Sequence, residues 1–318
     1  MKEEVEYEDA LKSAPKNWGR WGPNDELGTL NFLTNQEILR GIRTAKQGKV
    51  FSLGLQIGRK GGDIVFPGRS TTIHLMTQDE GSYKSGKVKP LPGGLKYADD
   101  VVFMYIQGTT QCDAIGHAWY GDKIYNGYSA DSTIGGLSKA SIVPIAEKGI
   151  VGRGVLLDIA RYKDVKHLAK GEAVTLEDIL GAARKQKVEV QKHDIVVLRT
   201  GYITVFYDEG SEAYFKDLNE PGITYSKELV DWFYRMEISA FAADTLSSEQ
   251  THSSTTKTMV PMHIFLMNYL GIPIQEILWL EELADDCAKD GQYDFLYCCA
   301  PLKFVGATGS PINPLAIK

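Results

Sequence analysis

Cysteine is scarce in this chain and forms no framework: the 318 residues hold four, Cys112, Cys287, Cys298 and Cys299, with no C-x-x-C spacing and two of them adjacent. That excludes a disulfide scaffold and a cysteine-zinc site, and it points to reduced thiols in a cytoplasmic protein. Long hydrophobic runs are missing too. No stretch of about 18 apolar residues occurs, so no membrane span is expected, and the first residues, Met1 to Glu6, are acidic where a secretory leader would be basic and then apolar. Positive charge is not in excess: 35 Lys+Arg against 41 Asp+Glu leave a formal net charge of −6, which offers no electrostatic footprint to nucleic acid or an anionic membrane. The patterns G-x-S-x-G, H-E-x-x-H and G-x-G-x-x-G are absent, which removes the usual cues for a serine hydrolase, a zincin and a dinucleotide site. A near match to a phosphate loop, Gly81 to Val88, lacks the hydroxyl that binds magnesium, and Pro90 and Pro92 forbid the helix that should follow.

The rest is the composition of an ordinary globular protein, 43% hydrophobic and 24% charged, in a chain long enough to bury a large core. Residues 1–17 are charged and contain Pro15; they read as a loosely held tail before a domain spanning 18–318. Thr34 and Glu37 predict a capping box opening a helix over about 35–47, and 49–57 alternates as a strand. The segment 59–97, rich in Gly, Ser, Lys and Pro, reads as a long surface excursion, a lid or a contact between subunits. Apolar runs predict strands at 101–106, 154–160, 193–201 and 238–244. Helices are expected from Thr175 with Asp178, from Ser226, and from Pro261 to about Leu270, where Gly271 and Pro273 stop the last. Short β and α elements alternate without a break in composition, so the prediction is a single α/β domain.

Chemistry crowds into 107–117, Gln-Gly-Thr-Thr-Gln-Cys-Asp-Ala-Ile-Gly-His. Continued extended geometry would put Gln107, Thr109, Gln111 and Asp113 on one face, because side chains alternate with period two. His117 follows Asp113 by four residues, the spacing a helical turn brings to one side. Taken singly, these residues complete turns and caps; taken together they make a site. Cys112 as a nucleophile would face away from the cluster, so it reads as a small packed residue. A second group, Asp244, His252, His263 and Glu276, supplies residue types suited to a zinc or manganese ion. Trp119 and Tyr120 could wall a pocket for a flat substrate or simply pack in the core.

On these residues the chain resembles the cyclase or kynurenine formamidase-like family of metal-dependent hydrolases, whose members open isatin or lactone rings. The family motif His-x-Gly-Thr-His-x-Asp-x-Pro-x-His aligns with Gln107 to His117, with further matches in Trp21 to Asn31, Gly152 to Asp158, Ala300-Pro-Leu and Gly309 to Leu315. The resemblance implies a mixed sheet with a barrel-like core flanked by helices. It implies metal ligation by Asp113, His263 and Glu276 and general acid/base work by His117. Gln107 and Gln111 stand where the family has metal-binding histidines, and carboxamide oxygens are weaker, harder ligands than imidazole. One manganese or zinc ion is therefore expected, held by Asp113, His263 and Glu276 with Gln111 or Gln107 assisting. The expected activity is hydrolysis of a small-molecule amide, cyclic amide, imide or lactone, with Trp119 and Tyr120 against the substrate. A biosynthetic cyclase or dehydratase that uses His117 with little or no metal, and a non-catalytic ligand-binding protein, are the alternatives. The resemblance also implies a homodimer or homotetramer.

Overall fold

The computed structural model describes residues 6–59 and 62–318. Nine strands, β1 (Val50–Ser52), β2 (Gln111–Asp113), β3 (Ile150–Asp158), β4 (Ile195–Arg199), β5 (Ala240–Ala243), β6 (Ile274–Glu276), β7 (Asp294–Cys299), β8 (Gly309–Pro311) and β9 (Leu315–Ile317), make one curled, half-barrel sheet in the order β1-β9-β7-β3-β4-β5-β6-β2-β8. The run β3-β4-β5-β6 is parallel and every other pairing is antiparallel. The mixed, helix-flanked sheet agrees with the sequence-based expectation.

The parallel strands are near-continuous apolar runs because both of their faces are covered. Val155, Leu157, Val196, Leu198, Phe241 and Ala243 enter one buried cluster, while the intervening Leu156, Ile195, Val197, Ala240 and Ala242 enter another. Helices α1 (Tyr7–Ser13), α2 (Asn35–Ile42), α3 (Leu176–Gln186), α4 (Lys227–Met236), α5 (Pro261–His263, continued by the π-helical Ile264–Leu270) and α6 (Glu281–Asp290) flank the sheet. Two helix starts form as expected: Thr175 and Asp178 make a capping box, and the Ser226 side chain accepts from Leu229 N–H. No helix among the described residues is long and apolar enough to cross a membrane.

Several elements depart from expectation for identifiable reasons. The segment read as a loose tail includes α1, because Ala10 and Leu11 are buried against the first cluster. Helix α2 stops at Ile42, and Thr34 holds the cap position without a side-chain bond. Glu37 is drawn instead to Arg40 and His193. The apolar run from 101 does not feed the main sheet. Asp99–Phe103 pairs with Ile73–Gln78, a strand within the excursion, in an antiparallel ribbon. Its register sets Ile73 opposite Phe103 and Leu75 opposite Val101, so four exposed apolar side chains share one face; the other face carries a His74–Asp100 hydrogen bond at 2.7 Å.

Two glycines lock the N-terminal segment to the end of α5. Gly271, at φ 70°, ends the helix in the left-handed conformation, and Thr29 N–H donates to its carbonyl at 2.9 Å. A Cβ on Gly28, at φ 59°, would lie 2.0 Å from that same carbonyl oxygen. The Gly28→Ala variant should therefore lose roughly 2–5 kcal/mol from backbone strain and overpacking, read as a lower midpoint in chemical denaturation.

Candidate metal centre

Strand β2 is only three residues long, but it lies between β6 and β8, and its register builds the site. Gln111 pairs opposite Glu276, and Asp113 opposite Gly309. Alternation turns Gln111 and Asp113 to the cavity and sends Cys112 into the second buried cluster, where burial pushes its thiol pKa well above the ordinary value. The packed-residue reading of Cys112 is the one the structure supports.

Each acidic group has a neutral residue holding it. Gln111 Nε2 donates to Glu276 Oε2 at 2.7 Å. Gln107 Nε2 donates to Asp113 Oδ1 at 3.3 Å and to Thr308 Oγ1 at 3.0 Å. Gln107 thus turns its amide nitrogen to the carboxylate and to the Thr308 hydroxyl. A Cβ at Gly309 would come within 2.9 Å of Gln107 Nε2 and 3.1 Å of Asp113 Oδ1, so glycine leaves room for this contact.

His263 reaches the same point from the first turn of α5. Glu249 holds it there: Oε2 accepts from Met262 N–H at 2.7 Å, and Oε1 accepts from His263 N–H at 2.8 Å and lies 2.6 Å from Nδ1. One carboxylate thus caps the helix and fixes the ring. Nδ1 is engaged and Nε2 is presented to the cavity, 3.4 Å from Glu276 Oε1. Burial opposes a charge on His263, but Glu249 and Glu276 outweigh it and hold its pKa well above the usual range. Burial, then the charge of Asp113, pushes Glu276 up to about 8.

These residues fit a metal ion. One ligand atom each from Asp113, His263 and Glu276 lies within 4.8 Å of the others. Asp113 Oδ2, Glu276 Oε1 and Gln111 Oε1 are buried without a hydrogen-bond partner. Leaving a buried polar atom unpaired costs about 1–3 kcal/mol, and a cation between Asp113 and Glu276 would satisfy theirs. Oxygen donors with one imidazole suit a divalent metal ion.

His117 lies beyond β2 in a turn, its N–H bonded to Ala114 C=O at 2.8 Å, not in a helix. Its Nδ1 is buried and unpartnered. Burial lowers its pKa; Asp113 opposes this, and the charges of His263 and Arg69 add to the lowering. The ring is thus neutral at neutral pH, the state of a proton acceptor.

The cavity holding these groups measures about 910 Å³. Trp119 and Tyr120 stand on its wall, 41% and 50% exposed, so they form a rim and not core packing. Phe66, Phe215, Leu218 and Met259 make the rest largely apolar. Thr109 is buried but is not among the lining residues. Asp244 stands apart: its carboxylate accepts from Thr200 N–H and Oγ–H and from Gly201 N–H, tying the end of β5 to the end of β4. His252 is exposed. Glu249, Arg69 and Tyr7 join the site unannounced by any local motif, since each arrives from a distant turn of chain.

Comparison with known proteins follows the same lines. Residues 51–250 match the family described as "Putative cyclase". A crystal structure of a novel cyclase shares 35% identity with this chain over 99% of each, with a TM-score of 0.86. Isatin hydrolase A from Labrenzia aggregata, bound to benzyl benzoate, is 18% identical over 84% of this chain and 93% of its own, at TM-score 0.59. An isatin hydrolase bound to the product analogue thioisatinate is 16% identical over 89% of this chain and 98% of its own, also at 0.59. At these identities the two hydrolases share the fold. No curated protein matches.

Burial raises the pKa of Glu276, and Glu249 and Glu276 raise that of His263 against its burial, so the metal-free site favours keeping protons. A bound metal would displace them, so affinity should rise with pH through neutrality and on past about 8. Calorimetry of zinc binding in buffers of different ionisation enthalpy should show net proton release. Glu249→Gln should weaken zinc affinity roughly 10–100-fold, since it frees the ring that Glu249 orients.

Proposed function

This chain belongs to the cyclase family, and from that premise we propose that it is a metal-dependent hydrolase opening an amide, a cyclic amide or imide, or a lactone in a small molecule. One observation carries the reading: three buried, unpartnered oxygens and an oriented imidazole converge beside the neutral, unpartnered ring of His117 in one roomy cavity. Asp113, His263 and Glu276 would hold the ion, and Gln111 Oε1 is free to assist. A divalent ion held by such groups polarises a carbonyl and acidifies water at neutral pH.

The chain's own residues do the rest. Gln107, Gln111 and Glu249 fix the positions of Asp113, Glu276 and His263, so the donors are arranged before substrate arrives. His117 Nδ1 takes a proton from the attacking water and returns it to the leaving nitrogen or oxygen, the task of a group neutral at working pH. Trp119 and Tyr120 at the rim, with Phe66 and Met259, offer apolar surface to a cyclic or aryl body and exclude water from one side of it.

The test is a panel of aryl formamides, cyclic imides and lactones offered to the manganese- or zinc-loaded chain. His117→Ala should lower kcat by roughly 10²–10⁴-fold while metal content stays unchanged. The wild-type rate should fall on the acid side with an inflection below 6.5, because the neutral ring is the working form and its pKa is lowered. Full activity after chelation, still abolished in His117→Ala, would replace this reading with acid/base cyclase or dehydratase chemistry.

A further inference from the structure

Among the described residues lining the cavity, Arg69 alone carries a guanidinium or ammonium group. It is half-buried, and its placement is built. Asp63, itself buried, accepts from Gly58 N–H at 2.7 Å and Thr72 N–H at 3.2 Å, closing the loop that carries Arg69. Within that loop Arg69 N–H donates to Phe66 C=O at 3.0 Å. At its far end the guanidinium Nη1 donates to Gln107 C=O at 2.8 Å, and the group lies 5.6 Å from the centre of the Phe66 ring.

These contacts fix the direction of the side chain without neutralising it. Among the described residues Arg69 has no carboxylate partner, although Asp113 and Glu276 line the same cavity. One of its five N–H groups is used on a neutral carbonyl, which leaves an edge of the planar fork for two parallel bonds. A carboxylate matches that edge, and Arg is the side chain best suited to binding it in a partly dehydrated wall.

We propose that Arg69 is the substrate-anion anchor of this cavity, so that the molecule hydrolysed is a ring-bearing amide, imide or lactone that also carries a carboxylate. The proposal rests on reading the cavity as a hydrolase site and adds the class of substrate. The scissile carbonyl lies at Asp113, His263 and Glu276; the substrate's own carboxylate meets Arg69, and the apolar body lies against Phe66 and the aromatic rim between them.

Two measurements test it separately from turnover. The metal-free full-length chain is titrated with benzoate and with neutral benzamide at pH 7, so that no ion can hold the carboxylate. Benzoate should bind at least about tenfold tighter, since a charge-assisted bidentate pair is among the strong hydrogen bonds. Arg69→Gln should erase that preference, and Arg69→Lys should restore part of it, with zinc stoichiometry and thermal melting unchanged in both. In the second measurement, formanilide and 4-carboxyformanilide are offered to the zinc-loaded chain. The carboxylated compound should have the lower KM, and Arg69→Gln should raise that KM with little change in kcat. Equal affinity for benzoate and benzamide in the wild type, or a preference that survives Arg69→Gln, overturns the anchor. If neither anilide is hydrolysed while the Arg69-dependent preference remains, the hydrolase reading fails for these compounds and the anchor stands.

Discussion

Asp113 and Glu276 are buried in one cavity on adjacent strands, and two carboxylates out of water in a shared space repel each other and lose their hydration. The rest of the site answers that constraint. Gln107 and Gln111 donate to one oxygen of each, which leaves the other oxygen of each bare. His263 brings a positive or ligating nitrogen, held in place by a third carboxylate, Glu249, whose own charge is met by the first backbone N–H groups of α5. Without an ion the arrangement stores its stress as a proton on Glu276. A divalent cation would release that proton and satisfy the bare oxygens together.

The fold makes this possible by placing a very short strand between two others. Strands β2 and β6 deliver Gln111, Asp113 and Glu276 with the precision of backbone pairing, and Gly309 on β8 leaves room for Gln107 and Asp113 beside it. Helix α5 starts beyond the loop that carries Glu249, so the carboxylate that begins the helix also aims its histidine. The strands thus hold the candidate oxygen donors and α5 the imidazole, while Tyr7 of α1 and Phe66 and Arg69 supply wall residues from the outside.

Much of this was legible in the sequence. The parallel strands announced themselves as apolar runs because both faces are buried, and Thr175 and Ser226 marked helix starts through side-chain chemistry that acts within a few residues. The cluster from Gln107 to His117 stood out because so many polar side chains follow an apolar run. Glu249 did not, since its role depends on a helix that begins twelve residues later and on the ring it meets there. Arg69 and Tyr7 were hidden for a similar reason: a lone cation in a Gly-rich segment and a tyrosine in a charged segment look the same whether they face solvent or a cavity. The run from Val101 was read as a strand, but its partner at 73–78 was not foreseen, because apolar alternation does not tell which partner a strand will take.

The most direct measurement is elemental analysis of the full-length chain purified without chelator, alongside Asp113→Asn. A single site built from Asp113, His263 and Glu276 predicts about one equivalent of divalent metal per chain, near zero in the variant. Two equivalents per chain, or an unchanged content in Asp113→Asn, would contradict it.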